Sequence, residues 1–418
     1  MRIKIGTPLN AIFVVLALML GFFSGCNKIP LAKTTTYKIY TPTYKSKAEA
    51  LATINGNALR PVKDAGKISI LGNFIYLNEL DKGIHIIDNS DPGHPKQVAF
   101  LDIPGNQNVA VRGNILYADM YTDLLAIDIS NAKNVVIRKR IPNLFPMRSY
   151  VNGNYIDSSQ VVVDWVTRDT TVTEESTIFR VCPNCMFASA DGAKAASAGG
   201  NSVAGSMAAM VLMQDHMYAI MEPHSVGVIN VEHAADPELK NTFFAGFDLE
   251  TIYPFENKLF LGSSIGMFMY DLSDPENPVQ LGSFAHGRAC DPVITDGEYA
   301  FVTLHSGSFC GGEANELHVV DVKDLMNPHL TSTYQLTSPT GLSKDGNLLF
   351  VCDASSGVRI YDAATPTNLR QIKTIDVKDG YDVMASNGHA MIIATNGLYQ
   401  FDYSNINDVR QISFFSLK

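Results

Sequence analysis

The sequence has few of the features that mark an enzyme or a nucleic-acid-binding protein. It holds six cysteines in 418 residues and has a formal net charge of -10 with no basic run, so binding to nucleic acid is not expected. It contains no ordered catalytic triad, no phosphate-binding loop and no His-Glu-x-x-His motif. The sequence therefore assigns no catalytic residue, metal ligand or cofactor, and it favours a binding role over an enzyme.

Long apolar segments are also scarce beyond residue 60. The apolar runs there are five to seven residues long, rich in Val, Ile, Tyr and Phe, and interrupted by Gly or Pro every eight to twelve positions. This pattern argues against a solenoid of helix pairs and predicts short strands.

What the sequence does contain is a phrase that returns about every forty residues. An aliphatic pair and an Asp precede a polar turn that proline often closes, as in residues 86–92, 269–275 and 360–366. Aligned on the residue after the aliphatic pair, the units are marked by Asp88, Asp128, Asp164, Asn230, Asp271, Asp321, Asp362 and Asp402. The phrase favours eight units, with seven as the alternative because the unit at Asp164 is irregular.

Each unit is predicted to form four short antiparallel strands. Upstream of the phrase, two apolar runs are separated by a turn such as Gly72-Asn73 or Asn387-Gly388, where Gly and Asn readily adopt positive φ. Four strands in forty residues is one propeller blade, and a ring of blades leaves only short strand edges. We therefore predict an all-β fold, a β-propeller of eight or seven four-stranded blades over residues 63–418.

The units resemble LVIVD repeats, which are named for the aliphatic-aliphatic-Asp phrase. The resemblance covers roughly residues 60–418, and the chain departs from the pattern at Asn230, around Asp164 and at residues 321–324. In Bacteroidetes-type bacteria such repeats are found in outer-membrane lipoproteins expected to be propellers. The resemblance implies this fold and this location, and it implies no reaction.

The amino terminus resembles a bacterial lipoprotein signal. Arg2 and Lys4 precede an apolar stretch, residues 11–23, and residues 23–26 (Phe-Ser-Gly-Cys) resemble a lipobox. This predicts a signal peptide over residues 1–25, cleavage before Cys26, and acylation of Cys26 as a membrane anchor. A transmembrane helix is the alternative, but the stretch is short for a span of about twenty residues.

Residues 26–62 lack the repeat. We predict a tether followed by a strand or short helix, residues 45–54, that packs on the ring. The residues after Cys26 lack the acidic run that resembles a surface-export tag in such bacteria. An outer-membrane lipoprotein on the periplasmic side is therefore favoured over the cell surface.

The two faces of the ring differ in what they carry. The phrase follows the third strand, which places it opposite the second-to-third links. There its Asp can bond backbone N–H groups while proline presets φ, so we interpret the phrase as a turn. Calcium is the alternative, but single carboxylates forty residues apart do not supply roughly six to eight oxygens. Two insertions, at about residues 179–206 and 306–315, fall on the other face and make it the candidate binding face.

The insertion cysteines are predicted to form disulfides. Cys290 and Cys310 fall at the same end of one hairpin, which suits a disulfide in an oxidising envelope. A metal site that includes His286 and His305 is an alternative, although the spacing matches no zinc signature. A Cys-His nucleophile is another, although no third group orients the imidazole.

The other cysteines have separate interpretations. Cys182 and Cys185 have the spacing of a redox pair, but the Ala-, Gly- and Ser-rich sequence that follows favours a local loop disulfide over a redox or metal role. Cys352 lies in an apolar strand and is predicted to be a small buried side chain.

The axis of the ring provides the last candidate. Glu250, Asp291 and Asp382 lie about six residues before a hairpin turn, which places them at the starts of inner strands. They could hold a cation or a polyhydroxylated ligand, or simply line a water-filled channel. The candidate ligand-binding residues are Glu250, Arg288, Asp291, His305, Tyr381 and Asp382.

Two functions follow from these observations. The first is a binding or scaffolding module that recognises a protein or glycan through the insertion-bearing face. The alternative is a metal-dependent hydrolase or lyase at the mouth of the axial channel.

Overall fold

The computed structural model describes residues 33–151, 154–155, 159–174, 193–194, 200–289, 292–306 and 312–416. Several of the predicted site residues lie outside these ranges. They are Cys26, Cys182, Cys185, Cys290, Asp291 and Cys310.

The chain divides into two compact units. Among the described residues, one unit contains residues 33–41 and 166–174, and the other contains those that fall within residues 42–165 and 193–416. The first elements of the chain are β1 (Lys33–Ser46), helix α1 (Lys47–Thr53) and β2 (Gly56–Asn57).

Blades 1 and 2 follow in chain order, and each has four antiparallel strands. Blade 2 is a four-stranded sheet, whereas blade 1 is the centre of a seven-stranded sheet that β2 extends at one edge and residues 193–194 and 203–206 extend at the other. Blade 1 consists of β3 (Ala65–Leu71), β4 (Phe74–Glu79), β5 (Gly83–Asp88) and β6 (Lys96–Asp102). Blade 2 consists of β7 (Val109–Arg112), β8 (Ile115–Met120), β9 (Asp123–Asp128) and β10 (Val136–Ile141).

A long connection separates blade 2 from blade 3. It contains a 3-10 turn (Pro146–Ser149), β11 (Tyr150–Val151), β12 (Asn154–Tyr155), β13 (Gln160–Glu174), β14 (Ala193–Lys194) and β15 (Val203–Ser206). The predicted unit at Asp164 belongs to this connection, because Asp164 lies inside β13 and β13 pairs with β1 in a two-stranded sheet.

Five further blades complete the fold. Blade 3 consists of β16 (Met210–Met213), β17 (His216–Glu222), β18 (Ser225–Asn230) and β19 (Glu238–Phe244). Blade 4 consists of β20 (Leu249–Phe255), β21 (Lys258–Ser263), β22 (Gly266–Asp271) and β23 (Val279–Ala285). Blade 5 consists of β24 (Val293–Thr295), β25 (Tyr299–Leu304), β26 (Glu316–Asp321) and β27 (His329–Gln335).

Blade 6 consists of β28 (Leu342–Asp345), β29 (Leu348–Cys352), β30 (Val358–Asp362), a 3-10 turn (Pro366–Asn368) and β31 (Arg370–Ile375). Blade 7 consists of β32 (Gly380–Ser386), β33 (His389–Ala394), β34 (Gly397–Asp402) and β35 (Arg410–Ser416). The all-β propeller fold is confirmed. The described residues form seven blades, the smaller of the two predicted counts.

The recurring phrase forms the same turn in every blade. The marker side chain accepts the N–H of the residue two positions on, as in Asp88 from Ser90 (2.9 Å) and Asp402 from Ser404 (2.9 Å). Hydrogen bonds from Ser130, together with the Arg138 guanidinium, lower the pKa of Asp128 to about 2. The predicted role of the phrase as a turn therefore agrees with the structure.

The phrase also ties its turn to the first hairpin of the same blade. The residue after the marker donates its backbone N–H to a carbonyl of that hairpin at 2.7–2.9 Å: Asn89 to Asn73, Ile129 to Asn114, Val231 to Asp215, Leu272 to Asn257, Val322 to Glu298, Ala363 to Asn347 and Tyr403 to Gly388. Both turns therefore lie on one face, as the sequence predicts.

The same turn contacts the preceding blade. The Tyr117 hydroxyl of blade 2 donates to the Ala234 carbonyl (2.8 Å), and the Tyr218 hydroxyl of blade 3 donates to the Pro275 carbonyl (2.9 Å). Each acceptor belongs to the turn after the third strand of the next blade. The phrase is thus a clasp between blades as well as a turn, a role that its sequence pattern did not indicate.

Blade 7 closes the ring against blade 1 through this clasp. Gln400 is fully buried, and its amide nitrogen donates to the Asn89 side-chain oxygen (2.7 Å) and the Pro92 carbonyl (3.2 Å). The Asn89 amide in turn donates to the Gln400 oxygen (3.1 Å). On the other face, the Tyr381 hydroxyl donates to the Ala65 carbonyl (2.6 Å).

A hairpin from the long connection lies inside the ring. β15 pairs with the innermost strand of blade 1, with Val203 opposite Ile70, and β14 contacts β20, β24, β28 and β32. The buried Ser206 hydroxyl accepts the Leu342 N–H (2.7 Å) and donates to Asp382 (3.3 Å). Polypeptide therefore occupies the axis at this level.

Helix α1 lies against blades 1 and 2. Ser46 and Glu49 form a capping box, and Ala50 is buried in the core that these blades share. The Lys47 ammonium contacts the buried Asp123 carboxylate at 3.0 Å, and Arg140 contacts it at 3.2 Å. Within the residues that the structure describes, none of the helices has the length and apolar character needed to cross a bilayer.

The hydrogen bonds of Gln400 in the closing clasp predict a large loss of stability when this buried side chain is removed. Gln400→Ala leaves the Asn89 amide buried without its partner, which we expect to lower the free energy of unfolding by about 1–3 kcal/mol. The matched control is Gln411→Ala in the same blade, where the side chain is exposed and the expected change is within about 0.5 kcal/mol. Urea unfolding followed by circular dichroism measures both. Equal effects of the two substitutions would show that the clasp does not close the ring.

Candidate functional site

The second insertion lies where the sequence predicts, between the second and third strands of blade 5. Its base is fixed by Asn315, whose side-chain oxygen accepts the Ser306 N–H (3.0 Å) and whose amide donates to the Ser306 hydroxyl (2.7 Å). Its returning limb lies against the loop from blade 4 to blade 5, because a Cβ at Gly312 would stand 1.7 Å from the Arg288 carbonyl oxygen. The insertion and the Arg288 loop are therefore neighbours.

The loop from blade 3 to blade 4 has a tightly constrained backbone on the same face. Ala245 is fully buried and donates its N–H to the His224 carbonyl (2.9 Å). Gly246 has φ +130°, and a Cβ there would stand 2.5 Å from the Phe268 ring. Asp248 is a non-glycine residue with φ 51°, a conformation that persists only where its surroundings impose it.

This loop holds two aromatic side chains in solvent. Phe244 is 58% exposed and Phe247 is 61% exposed. Their rings touch edge to face, with centroids 5.1 Å apart and planes at 74°. With Ala245 and Gly246 occupying the buried positions between them, the backbone directs both rings outward.

The predicted site residue Arg288 is joined to this loop through Asp248. Its guanidinium donates to the Asp248 carboxylate at 2.9 Å, which also accepts the Ser264 hydroxyl (3.2 Å). Backbone bonds from Ser264 to Asp248 and from Ala289 to Ser264, both 3.1 Å, tie three loops together. We call Phe244, Phe247, Asp248 and Arg288 the aromatic-arginine surface.

His305 lies at the start of the second insertion. Its Nδ1 lies 2.9 Å from the Ser338 hydroxyl, and burial lowers the pKa of His305. Burial also lowers the pKa of His318, whose Nε2 lies 2.7 Å from Glu316. Burial therefore favours the neutral form of both imidazoles, and each is held by a neighbouring side chain.

The axial candidates have different surroundings. Glu250 and Asp382 lie within the first three residues of β20 and β32, and β14 contacts both strands. The Asp382 side chain is buried beside Ser206. Tyr381 binds the backbone of blade 1 at the ring closure. Of the six candidate ligand-binding residues, Arg288 and His305 are those that the structure places in the loops of the insertion-bearing face.

Two buried carboxylates organise this face and were not predicted. Asp119 accepts the N–H groups of Gln107 (2.9 Å) and Asn108 (2.7 Å) and binds Arg148 at 2.9 Å. Asp353 has the same arrangement in blade 6: it accepts two consecutive N–H groups, from Thr337 and Ser338, and binds Arg359. The sequence signal for both residues was an Asp near the end of an apolar second strand. This signal does not distinguish them from an Asp at the end of any other strand.

The metal alternative depends on residues that are only partly described. Among the residues that the structure describes, no group of three or more His, Cys, Asp or Glu side chains is placed to hold a metal ion. Cys290, Asp291 and Cys310 lie outside those residues. Cys352 is a free thiol with no exposed surface, as predicted, and burial raises its pKa.

Comparison with known families identifies the repeat. A model of the LVIVD repeat matches residues 63–100 and 105–139, which correspond to blades 1 and 2. The chain contains LVIVD repeats. The search of curated proteins found no match.

Solved structures similar to this LVIVD-repeat propeller share little sequence with it. A protein from Lactobacillus plantarum is 13% identical, with a TM-score of 0.51 over 82% of this chain and 97% of that one. The computationally designed Ika8 protein is 11% identical, with a TM-score of 0.50 over 87% and 90%. BamB from Moraxella catarrhalis is 8% identical, with a TM-score of 0.47 over 87% and 97%. At these identities the likeness concerns the fold alone.

The constrained loop beneath the aromatic-arginine surface predicts that replacement of Gly246 lowers the stability of the protein. Gly72→Ala places a Cβ in the left-handed region (φ +57°), which costs about 1–2 kcal/mol, whereas Gly246 has φ +130°, outside the region that other residues adopt, so its backbone is strained more by the same substitution. Only at Gly246 does the Cβ overlap a ring, since nothing lies within 4 Å of a Cβ at Gly72. We expect Gly246→Ala to lower the free energy of unfolding by about 1–3 kcal/mol more than Gly72→Ala, as measured by urea unfolding. Equal losses would mean that the loop relaxes both the φ of residue 246 and its contact with Phe268.

Proposed function

We propose that this protein is a lipid-anchored β-propeller of the cell envelope that binds a protein or a glycan through its insertion-bearing face. The aromatic-arginine surface is the observation that carries this proposal. Aromatic rings and arginine dominate the energetics of protein interfaces when they lie together on a well-ordered surface. Here Phe244 and Phe247 lie on one loop, and backbone hydrogen bonds and the Arg288–Asp248 ion pair join that loop to the loop of Arg288.

The axial alternative has weaker support. A hydrolase or lyase at the channel mouth needs carboxylates that converge on a space open to substrate. The hairpin β14–β15 lies next to the strands that bear Glu250 and Asp382, and Asp382 is buried. These observations favour recognition at the face over chemistry at the axis.

The lipid anchor rests on the lipobox resemblance at residues 23–26. Acylation of Cys26 would tether the ring at a bilayer and leave its faces free to meet other envelope components. We place the protein at the outer membrane on the periplasmic side, because residues 27–30 lack an acidic run.

Site-specific photo-crosslinking in living cells tests the face. Benzoylphenylalanine at position 247 should form adducts with a macromolecule of the envelope. The matched control is position 74, because Phe74 is also exposed (39%) but begins the second strand beside the opposite-face turn. Digestion of the adduct with protease or glycosidase identifies the class of partner. Absence of any adduct from position 247, or equal adducts from both positions, would refute binding through this face.

A cysteine variant tests the anchor. Cys26→Ser should abolish labelling by an alkyne fatty acid, because the acylated thiol is removed, and should leave the signal peptide of residues 1–25 uncleaved, which mass spectrometry measures. Cys352→Ser is the matched control, since this thiol is buried. Protease treatment of intact cells should leave the wild-type protein uncut. Unchanged labelling of Cys26→Ser would contradict the lipid anchor, and cleavage in intact cells would contradict the periplasmic side.

A further inference from the structure

The strands β1 and β13 pair in a ribbon of only two strands. Its outer part, residues 33–41 and 166–174, forms a compact unit of its own. The hydroxyls of Thr36 and Thr171 lie 3.3 Å apart across the ribbon. No third strand joins the ribbon among the residues that the structure describes. Because a two-stranded sheet is only marginally stable in water by itself, a surface that covers one side of this ribbon would stabilise it.

The contact between Thr36 and Thr171 shows which side chains share a face of the ribbon. Successive side chains of a strand point to opposite faces. Odd-numbered residues of β1 and even-numbered residues of β13 therefore lie together on the face away from this contact. We call four side chains of that face the ribbon face: Tyr37, Ile39, Val166 and Arg168.

The ribbon face combines apolar surface with positive charge. Ile39 is 40% exposed and Val166 is 60% exposed, and Arg168 on the same face is exposed as well. The acidic residue Asp169 lies on the opposite face. Aromatic and apolar side chains with a neighbouring cation are favoured in the headgroup region of a bilayer. The composition of the ribbon face therefore fits a lipid surface.

The charge of the outer ribbon also fits such a surface. Its basic residues, Lys33, Lys38 and Arg168, outnumber its acidic residues, Asp169 and Glu174, although the whole chain has a formal net charge of -10. Anionic headgroups attract basic residues near a bilayer and repel acidic ones. The outer ribbon is therefore a part of this acidic chain that an anionic lipid surface attracts.

The position of the proposed lipid anchor brings the ribbon to a bilayer. Cys26 lies seven residues before Lys33, where β1 begins. An extended chain spans at most about 3.3–3.6 Å per residue, so Lys33 lies within about 25 Å of Cys26. Acylation of Cys26 would therefore keep the start of the ribbon close to the lipid headgroups.

We propose that the ribbon face lies on the lipid headgroup surface of the membrane in which Cys26 is anchored. The inference rests on the proposed function, because it uses the lipid anchor that this function includes. Ile39 and Val166 enter the boundary between headgroups and acyl chains, and Arg168 binds lipid phosphate groups. The anchor holds the chain at the membrane, and the ribbon face sets the orientation of the ribbon on it.

Tryptophan fluorescence tests this contact, because the chain has a single tryptophan, Trp165. In a Trp165→Phe background, Ile39→Trp and Tyr40→Trp each place one tryptophan on the outer ribbon. The two positions are neighbours with similar exposure, 40% and 38%, but they lie on opposite faces. The full-length acylated protein is reconstituted into vesicles of phosphatidylethanolamine and phosphatidylglycerol that contain brominated lipids, and flotation measures how much protein is bound.

The brominated lipids should quench the tryptophan at position 39 more strongly than the tryptophan at position 40. Emission from position 39 should also shift to shorter wavelength when vesicles are added, because its surroundings become less polar. Equal quenching at the two positions, or no quenching at position 39 in protein that floats with the vesicles, would overturn the inference. Circular dichroism checks that each variant is folded.

Charge reversal gives a second test of the same face. Arg168→Glu should lower the ratio of docked to undocked ribbon, measured by quenching at position 39, about fivefold or more, because each basic residue near an anionic surface adds about that factor. Lys38→Glu makes the same change of charge on the opposite face and should have a smaller effect. Equal effects of the two substitutions would refute the contact of Arg168 with headgroups.

The outcomes separate this inference from the proposed function. Protein that does not float with the vesicles lacks the lipid anchor, and the inference then fails together with that part of the function. Protein that floats while position 39 is not quenched keeps the anchor and overturns the contact of the ribbon face. Binding through the aromatic-arginine surface is measured separately, by the crosslinks from position 247.

Discussion

The structure depends on the turn that follows the third strand of each blade. That turn is bonded in two directions: its backbone joins the first hairpin of its own blade, and in blades 1, 3, 4, 6 and 7 one of its carbonyls accepts a side chain from the preceding blade. A sheet of four strands has no such bonds by itself and would leave its edges open. Because the turn both shapes its own blade and binds the preceding one, the ring and its blades stabilise each other.

The repeat predicted the strands, the face of the phrase and the position of the second insertion, because these follow from local turn chemistry and from strand order. It did not settle the blade count. Asp164 follows three valines, as a marker should, but the next residues are Trp165 and Val166 instead of a Ser-Asp-Pro turn, so the strand continues to Glu174. An aliphatic-Asp phrase without its turn marks no blade.

The candidate site was predicted only in part. Arg288 and His305 could be placed on the insertion-bearing face from their positions in loops, but Phe244 and Phe247 resemble ordinary core residues in the sequence. Their exposure results from the burial of Ala245 and from the Phe268 ring above Gly246, which are tertiary contacts. Tyr381 and Asp382 were expected at an open axis, where the structure instead gives them bonds to Ala65 and Ser206.

The bond between Gln400 and Asn89 joins residues that are 311 positions apart, and β15 reaches blade 1 only after blade 2 and the long connection have been made. Contacts of such long range slow folding, because the chain loses the entropy of closing the intervening loop before the contacts stabilise it. During synthesis the inner edge of blade 1 stays open until β15 emerges, and its flank stays open until the last strands emerge. The incomplete chain is therefore prone to aggregate during its synthesis. Secretion in an unfolded state would delay folding until all strands of the ring are available.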